Sequence, residues 1–211
     1  MTPGDPRPEA AVAVFAKAPV PGEVKTRLAA VLGADAAASL HAGLVRHALS
    51  TAVHAGLGPV SLWCLPDASH SFFARCAGEF GVRLEAQQGA DLGERMGRAF
   101  ERSPAPLLVI GADCPALKPA HLAAAAAALR EADAAFVPAE DGGYVLVGLA
   151  RPVRGLFDDI PWGSAAVMAR TRERLERARA RWVELDALWD VDRPDDYARL
   201  QREGLLDEVL S

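Results

Sequence analysis

Short apolar, β-leaning runs alternate with longer Ala- and Leu-rich segments along almost the whole chain, and nothing else in the sequence restricts the fold so strongly. The runs cover 11–15, 60–65, 82–85, 107–110, 135–138, 144–149 and 181–185. Between most of them lie segments with helical spacing, at 34–55, 69–80, 92–101, 119–130 and 164–180. Strands alternating with helices predict βαβ units, hence an α/β fold of three layers, α/β/α, around a mainly parallel mixed sheet. One place departs from the rule. Between 135–138 and 144–149 there is no room for a helix, so these two runs are expected to pair as an antiparallel hairpin.

Within that frame, composition narrows the classes of function. The chain has 211 residues, enough for one sizeable core, with 51% hydrophobic and 24% charged residues, as in a globular rather than a disordered protein. Its net charge of −5 offers no global attraction to nucleic acid or to an anionic membrane, so any anion site must be local. Cys64, Cys76 and Cys114 are odd in number and widely spaced, which fits neither a disulfide framework nor a C-x-x-C metal pattern. No stretch is long and apolar enough to span a bilayer, and the polar, Pro-rich residues 1–10 lack the apolar core of a signal peptide. The expectation is a cytoplasmic protein with a frayed N-terminus over 1–10 and a single domain over 11–211.

The first strand empties into Lys17-Ala18-Pro19-Val20-Pro21-Gly22-Glu23-Val24-Lys25-Thr26-Arg27, just where a helical pattern begins. In open α/β sheets ligands bind beyond the carboxyl ends of the strands, where helix N-termini present free N–H groups to anions. Lys25 and Arg27 delivered there point to a polyphosphate site; an ordinary strand–turn–helix with solvated cations is the alternative. The loop is not a Walker loop, since Lys25 follows the lone Gly22 and two prolines remove N–H groups. No G-x-G-x-x-G follows the first strand, and neither G-x-S-x-G nor H-E-x-x-H occurs.

Acidic residues stand at two further strand ends. Asp113, in Gly111-Ala112-Asp113-Cys114-Pro115, follows the 107–110 run. It is either an Asx-turn ahead of Pro115 or a ligand for a hard cation, which needs only one or two carboxylates once substrate phosphates complete its shell. Asp190 and Asp192 are two apart and point the same way if the chain is extended there. Clustered acids repel unless a cation lies between them, although Asp192 also fits as the N-cap of a helix opening at Pro194. In Gln88-Gly89-Ala90-Asp91-Leu92-Gly93-Glu94-Arg95-Met96, Asp91 and Glu94 suit a capping box, which leaves Gln88 and Gly89 to line a pocket. Glu140-Asp141-Gly142-Gly143-Tyr144 suits a tight turn, and its acids and Tyr144 are candidates to position an acceptor or act as base. Ser164 is expected to cap the next helix, with Trp162 in packing. The six arginines of 170–181, interleaved with Glu173 and Glu176, read as a solvated helix face.

Taken in order, the segments 15–28, 88–96, 111–117, 140–144 and 190–196 resemble a family of bacterial GT-A-like proteins (the nucleotide-diphospho-sugar transferase fold) described as a domain of unknown function and often labelled glycosyltransferases. More distantly the chain is similar to the molybdenum-cofactor and phospholactate guanylyltransferases. The resemblance implies nucleotide binding at Lys17, Pro21, Gly22, Lys25, Arg27, Gln88, Gly89 and Asp113. It also implies a Mg²⁺ (or Mn²⁺) site at Asp113, Asp190 and Asp192, and an acceptor region at Asp141, Gly142, Gly143, Tyr144 and Trp162. Lys25, Asp113 and Asp141 would be catalytic. Many glycosyltransferases of this fold carry Asp-x-Asp at the metal strand; Gly111 stands in the first position here, which looks more like nucleotidyl transfer. The first loop departs from the Gly-rich signature usual in nucleotidyltransferases.

The expected partners are thus a nucleotide (an NTP or a nucleotide sugar) and a small acceptor, and not nucleic acid or membrane. The first expectation is transfer of NMP from an NTP with release of pyrophosphate. Glycosyl transfer from a nucleotide-diphosphate sugar is second, and a non-catalytic nucleotide-binding module third.

Overall fold

The computed structural model describes residues 9–104 and 106–210; residues 1–8 of the expected frayed N-terminus lie outside the described residues. Ala10 is buried, and its N–H donates to Leu57 O. In chain order the elements are β1 (Ala11–Lys17), α1 (Thr26–Leu32), α2 (Ala34–His54), β2 (Val60–Leu65), α3 (Ser71–Phe80), β3 (Arg83–Ala86) and α4 (Leu92–Arg102). There follow β4 (Leu107–Gly111), α5 (Pro119–Ala128), β5 (Ala134–Pro138), β6 (Tyr144–Leu149), α6 (Val167–Ala178), β7 (Trp182–Glu184), α7 (Pro194–Arg202) and α8 (Leu206–Leu210).

The strands form one seven-stranded sheet in the order β3-β2-β1-β4-β6-β5-β7. β6 runs antiparallel to both neighbours, β4 and β5, and the other pairings are parallel. The expected hairpin is therefore present, with a register shift at Val137/Pro138. Alternation along β1 shows why the run is apolar throughout: Val12, Val14 and Ala16 face one helical layer while Ala11, Ala13 and Phe15 face the other. The first layer contains Val45 and Leu49 of α2, Phe72 and Phe73 of α3 and Leu122 of α5. The second contains Met96 and Phe100 of α4 and Met168 and Leu175 of α6. A third cluster joins Leu28 of α1, Leu40 and Leu44 of α2, Trp189, Val191, Leu200 of α7 and Val209 of α8.

Two helix starts differ from expectation, for one physical reason. α7 is capped at Arg193 rather than Asp192; the Asp196 carboxylate accepts from the N–H groups of both Asp192 and Arg193, while the Asp192 side chain pairs with Arg27. α6 begins only at Val167, because Ser164 Oγ donates to Pro161 O and accepts from Ala166 N–H within the preceding turn. In both cases a partner elsewhere takes the side chain that local sequence offers to the helix. Asp91 does cap α4, accepting from Glu94 N–H, and Glu94 reaches back to Ala90 N–H. The three cysteines are free and buried, and burial pushes the Cys64 thiol up to about 12. No helix among the described residues is long and apolar enough to cross a membrane.

Candidate active site

The strand order reverses between β1 and β4: β2 and β3 lie to one side of β1, and β4 to the other. Beyond the carboxyl ends of such a pair the connections diverge and leave a crevice. A cleft of about 570 Å³ lies there. Lys17 lines it from the end of β1, Lys25 and Arg27 from the head of α1, Gly111, Ala112 and Asp113 from the end of β4 and just beyond it, and Asp192 from the segment before α7. His41, Gln87, Leu92 and Arg95 line it as well, together with Leu65. A wider groove of about 740 Å³ between α4 and residues 152–159 shares none of these residues.

Lys25 is the centre of the charged wall. It adopts the left-handed conformation (φ 48°) at the head of α1, and its side chain is only 4% exposed. Nζ lies 2.7 Å from Asp113 Oδ1 and donates to Val191 O at 2.5 Å. One ammonium therefore joins the first loop, the end of β4 and the segment carrying Asp190 and Asp192. The link is doubled by the backbone, since Val191 N–H donates to Asp113 O at 2.8 Å. His41 stands behind the same carboxylate: Nε2 lies 3.1 Å from Lys17 O, leaving Nδ1 at 3.8 Å from Asp113 Oδ1 with no hydrogen-bond partner among the described residues.

These neighbours push the acids in opposite directions. Burial raises the Asp113 carboxyl, but Lys25 and His41 outweigh it and hold it below the usual carboxylate range. Its Oδ1 is enclosed, yet the side chain as a whole is 47% exposed, so the other oxygen faces the cleft. Asp190 is pushed up to about 6, by burial first and then by Asp141 and Asp113, with Lys25 opposing. Asp113, Asp141 and Asp190 thus share one electrostatic neighbourhood, whereas Asp192 is paired with Arg27. Among the described residues no three of His, Cys, Asp and Glu come close enough to form a complete metal cage. The donor set still suits a hard cation that takes the rest of its oxygens from substrate phosphate.

Several expected site residues have other work. Pro21 and Gly22 are exposed and are not on the cleft wall. Neither are Gln88 and Gly89, whose place is taken by Gln87. Gly89 (φ 144°) packs so closely on α4 that a Cβ would lie 2.7 Å from Glu94 Cβ, and its carbonyl accepts from Arg95 Nε. Of the acceptor residues, Asp141 accepts from Gly143 N–H and faces Asp190 electrostatically. Gly142 instead packs on the 161–168 connection, where a Cβ would meet Ala165 O at 2.3 Å. Tyr144 is placed differently from a solvent-facing base: its ring lies edge-on to Phe136 and Trp162, its hydroxyl is enclosed, and burial raises its pKa. Trp162 packs on Phe157 and Tyr144, outside the cleft.

His41, Gln87 and Arg95 were not anticipated. His41 carried a readable signal, because it interrupts the inward stripe Ala37, Leu44 and Ala48 of α2 with a polar ring. Gln87 and Arg95 carried none, since their roles depend on carbonyls from other elements.

Comparison with known proteins agrees with this architecture. Residues 48–164 match the family described as "Uncharacterized protein conserved in bacteria (DUF2064)". The chain is 33% identical over 200 residues to a phosphoenolpyruvate guanylyltransferase of Rubrobacter xylanophilus, covering 92% of this chain and 96% of that one. A putative nucleotide-diphospho-sugar transferase from Desulfovibrio desulfuricans G20 superposes with a TM-score of 0.79 at 30% identity, covering 96% of this chain and 99% of that one. A nucleotidyl transferase from Methanothermobacter shares the fold at 18% identity, with a TM-score of 0.66 over 94% of this chain and 99% of that one. The chain belongs to the DUF2064 family and is a transferase built on the nucleotide-diphospho-sugar transferase fold.

Proposed function

We propose that the protein is a nucleotidyltransferase that uses a divalent cation, Mg²⁺ or Mn²⁺, and moves NMP from an NTP to a small oxyanion acceptor. The observation that carries this reading is the single cleft at the β1/β4 reversal, where Lys17, Lys25, Arg27 and Arg95 face Asp113 and Asp192. The relative that makes a guanylyl transfer to phosphoenolpyruvate supports both the reaction type and a phosphorylated acid as acceptor.

In this reaction an acceptor oxygen forms a bond to the α-phosphorus. The bond from that phosphorus to the β-bridging oxygen breaks, and its electron pair leaves with pyrophosphate. Asp113 and Asp190 are the residues that would hold the cation, with Asp192 joining them on release from Arg27; when bound, the cation would neutralise charge on the phosphate oxygens. Lys17, Arg27 and Arg95, which line the same cleft, steady the anionic chain. Lys25 fixes Asp113 against the 190–192 segment and keeps positive charge next to the reacting phosphate. An acceptor that is already ionised requires no base, consistent with a cleft in which Tyr144 takes no part.

A second reading is glycosyl transfer, favoured by the name of the Desulfovibrio relative and by Asp141 beside Asp190, a carboxylate able to accept a proton from a hydroxyl acceptor. Incubation with Mg²⁺ or Mn²⁺, a panel of NTPs and sugar nucleotides, and small phosphorylated acids separates the two. Pyrophosphate release is the expected result. Release of nucleoside diphosphate from a sugar nucleotide would replace the first reading by the second, and binding without turnover would leave a nucleotide-binding module.

A further inference from the structure

The cleft has two chemically different ends, set by the order of the strands. Asp113 and the 190–192 segment lie on the β4 side of β1; Leu65 at the end of β2 and Gln87 just past β3 lie on the other. On that far side Leu65 and Leu92, the latter a large hydrophobic left 40% exposed, give the wall an apolar surface beside Gln87 and Arg95. A flat aromatic ring fits such a wall, while the phosphates belong at the charged end.

Gln87 stands beside these apolar residues, and its amide is not free to turn. Its backbone N–H donates to Cys64 O, and its side-chain Nε2 donates to Ala16 O at 3.3 Å and to Trp63 O at 2.7 Å. The two amide hydrogens are thereby spent on carbonyls at the ends of β1 and β2. Rotating the amide would set Oε1 against the same two carbonyls, acceptor against acceptor. Among the described residues Oε1 has no hydrogen-bond partner, and it is not among the enclosed polar atoms. It is open to solvent, on a residue that lines the cleft.

We propose that Gln87 Oε1 is the base-reading atom of this cleft, a fixed hydrogen-bond acceptor that selects a purine presenting adjacent N–H donors, namely guanine. This rests on the nucleotidyl reading of the same cleft. A carbonyl oxygen has two lone pairs. Guanine offers N1–H and the 2-amino group side by side on its Watson–Crick edge, whereas adenine, cytosine and uracil each offer one donor group with an acceptor beside it. With adenine, N1 sits next to its amino group, so a fixed acceptor there meets a lone pair as well as a hydrogen. A donor-reading residue such as an Asn or Gln with a free amide would give the reverse preference.

The test is calorimetric binding of GTP, ITP, ATP and CTP to the full chain with Mg²⁺, with melting temperatures recorded alongside. GTP is expected to bind tightest, ITP, which keeps N1–H but lacks the 2-amino group, about tenfold more weakly, and ATP and CTP more weakly still, one good base contact being sufficient for such ratios. Gln87→Met keeps the length and removes the acceptor, and it is expected to reduce the GTP-to-ATP ratio about tenfold with triphosphate binding retained. Equal affinities for the four nucleotides in the wild type would overturn the assignment, and that measurement does not depend on the variant folding. A Gln87→Met protein that melts lower but keeps the wild-type base ratio would overturn it too, since Gln87 would then be only a staple between strand ends. Failure of all four to bind would overturn the nucleotidyl reading and this inference together.

Discussion

Asp190 carries the clearest consequence at the scale of a single residue. Burial and the neighbouring Asp141 and Asp113 push its carboxyl from 3.8 up to about 6. The folded state therefore disfavours its ionised form: this group costs little well below 3.8, destabilises increasingly between about 3.8 and about 6, and imposes a constant cost above that. Asp190→Asn is expected to raise the melting temperature at pH 7.5 and to raise it much less at pH 4, with EDTA present throughout. A variant that melts below wild type at pH 7.5 would mean that Lys25 stabilises the Asp190 carboxylate more than its acidic neighbours oppose it. Neither the acid cluster nor the lysine inside it is fully legible from sequence. Lys25, Asp113 and Asp190 stand out as types and positions. That Lys25 spends its charge inside the protein, on Asp113 and Val191 O, follows only from a fold that joins three distant segments. Gln87 was hidden for the same reason: both partners of its amide are backbone carbonyls of other strands.

The glycine turns show what an element demands of its connections. Gly142 sits at φ 94° with its carbonyl accepting from Met168 N–H, and its Cα faces Ala165 so closely that a Cβ would lie 2.3 Å from Ala165 O. Gly142→Ala combines a disfavoured backbone with a backbone clash, and it is expected to destabilise by about 2 kcal/mol or more, read as a lower denaturation midpoint. Gly143→Ala is the comparison: its nearest contact is an Asp141 side-chain oxygen at 3.2 Å, and a smaller loss is expected. Equal losses would mean that the close approach to Ala165 is not what requires glycine. Strands and helices were legible at this scale because apolar period and length write them directly, as β1 and α2 do. The caps of α6 and α7 were not, because Ser164 and Asp192 have partners outside the helices they precede.

Considered as a whole, the molecule has two cores pressed on the faces of one sheet and a third that holds α7 and α8 against α1 and α2. The third core matters for the cleft because Trp189 and Val191, buried in it, alternate with Asp190 and Asp192. Leu200, fully buried there, is far along the chain from every cleft residue except that segment. Leu200→Ala is expected to cost about 3 kcal/mol of stability and also to weaken divalent-cation binding, measured by Mn²⁺ calorimetry well below the melting temperature. Unchanged Mn²⁺ affinity in the destabilised variant would show that the acids keep their places without this core. The alternating pattern specified the sheet and its two layers; the third core was missed because Trp189 and Val191 lie in an irregular segment with no period to read.

Val191 bonds to the Asp113 backbone and accepts from Lys25, so the last wall of the cleft comes from a stretch that leaves the ribosome after every strand of the sheet. A nascent chain halted after β7 would already possess all it needs to stack its strands, yet would lack the partner that anchors Lys25. The anchoring of Lys25 is thereby deferred until the segment that follows β7 has been made.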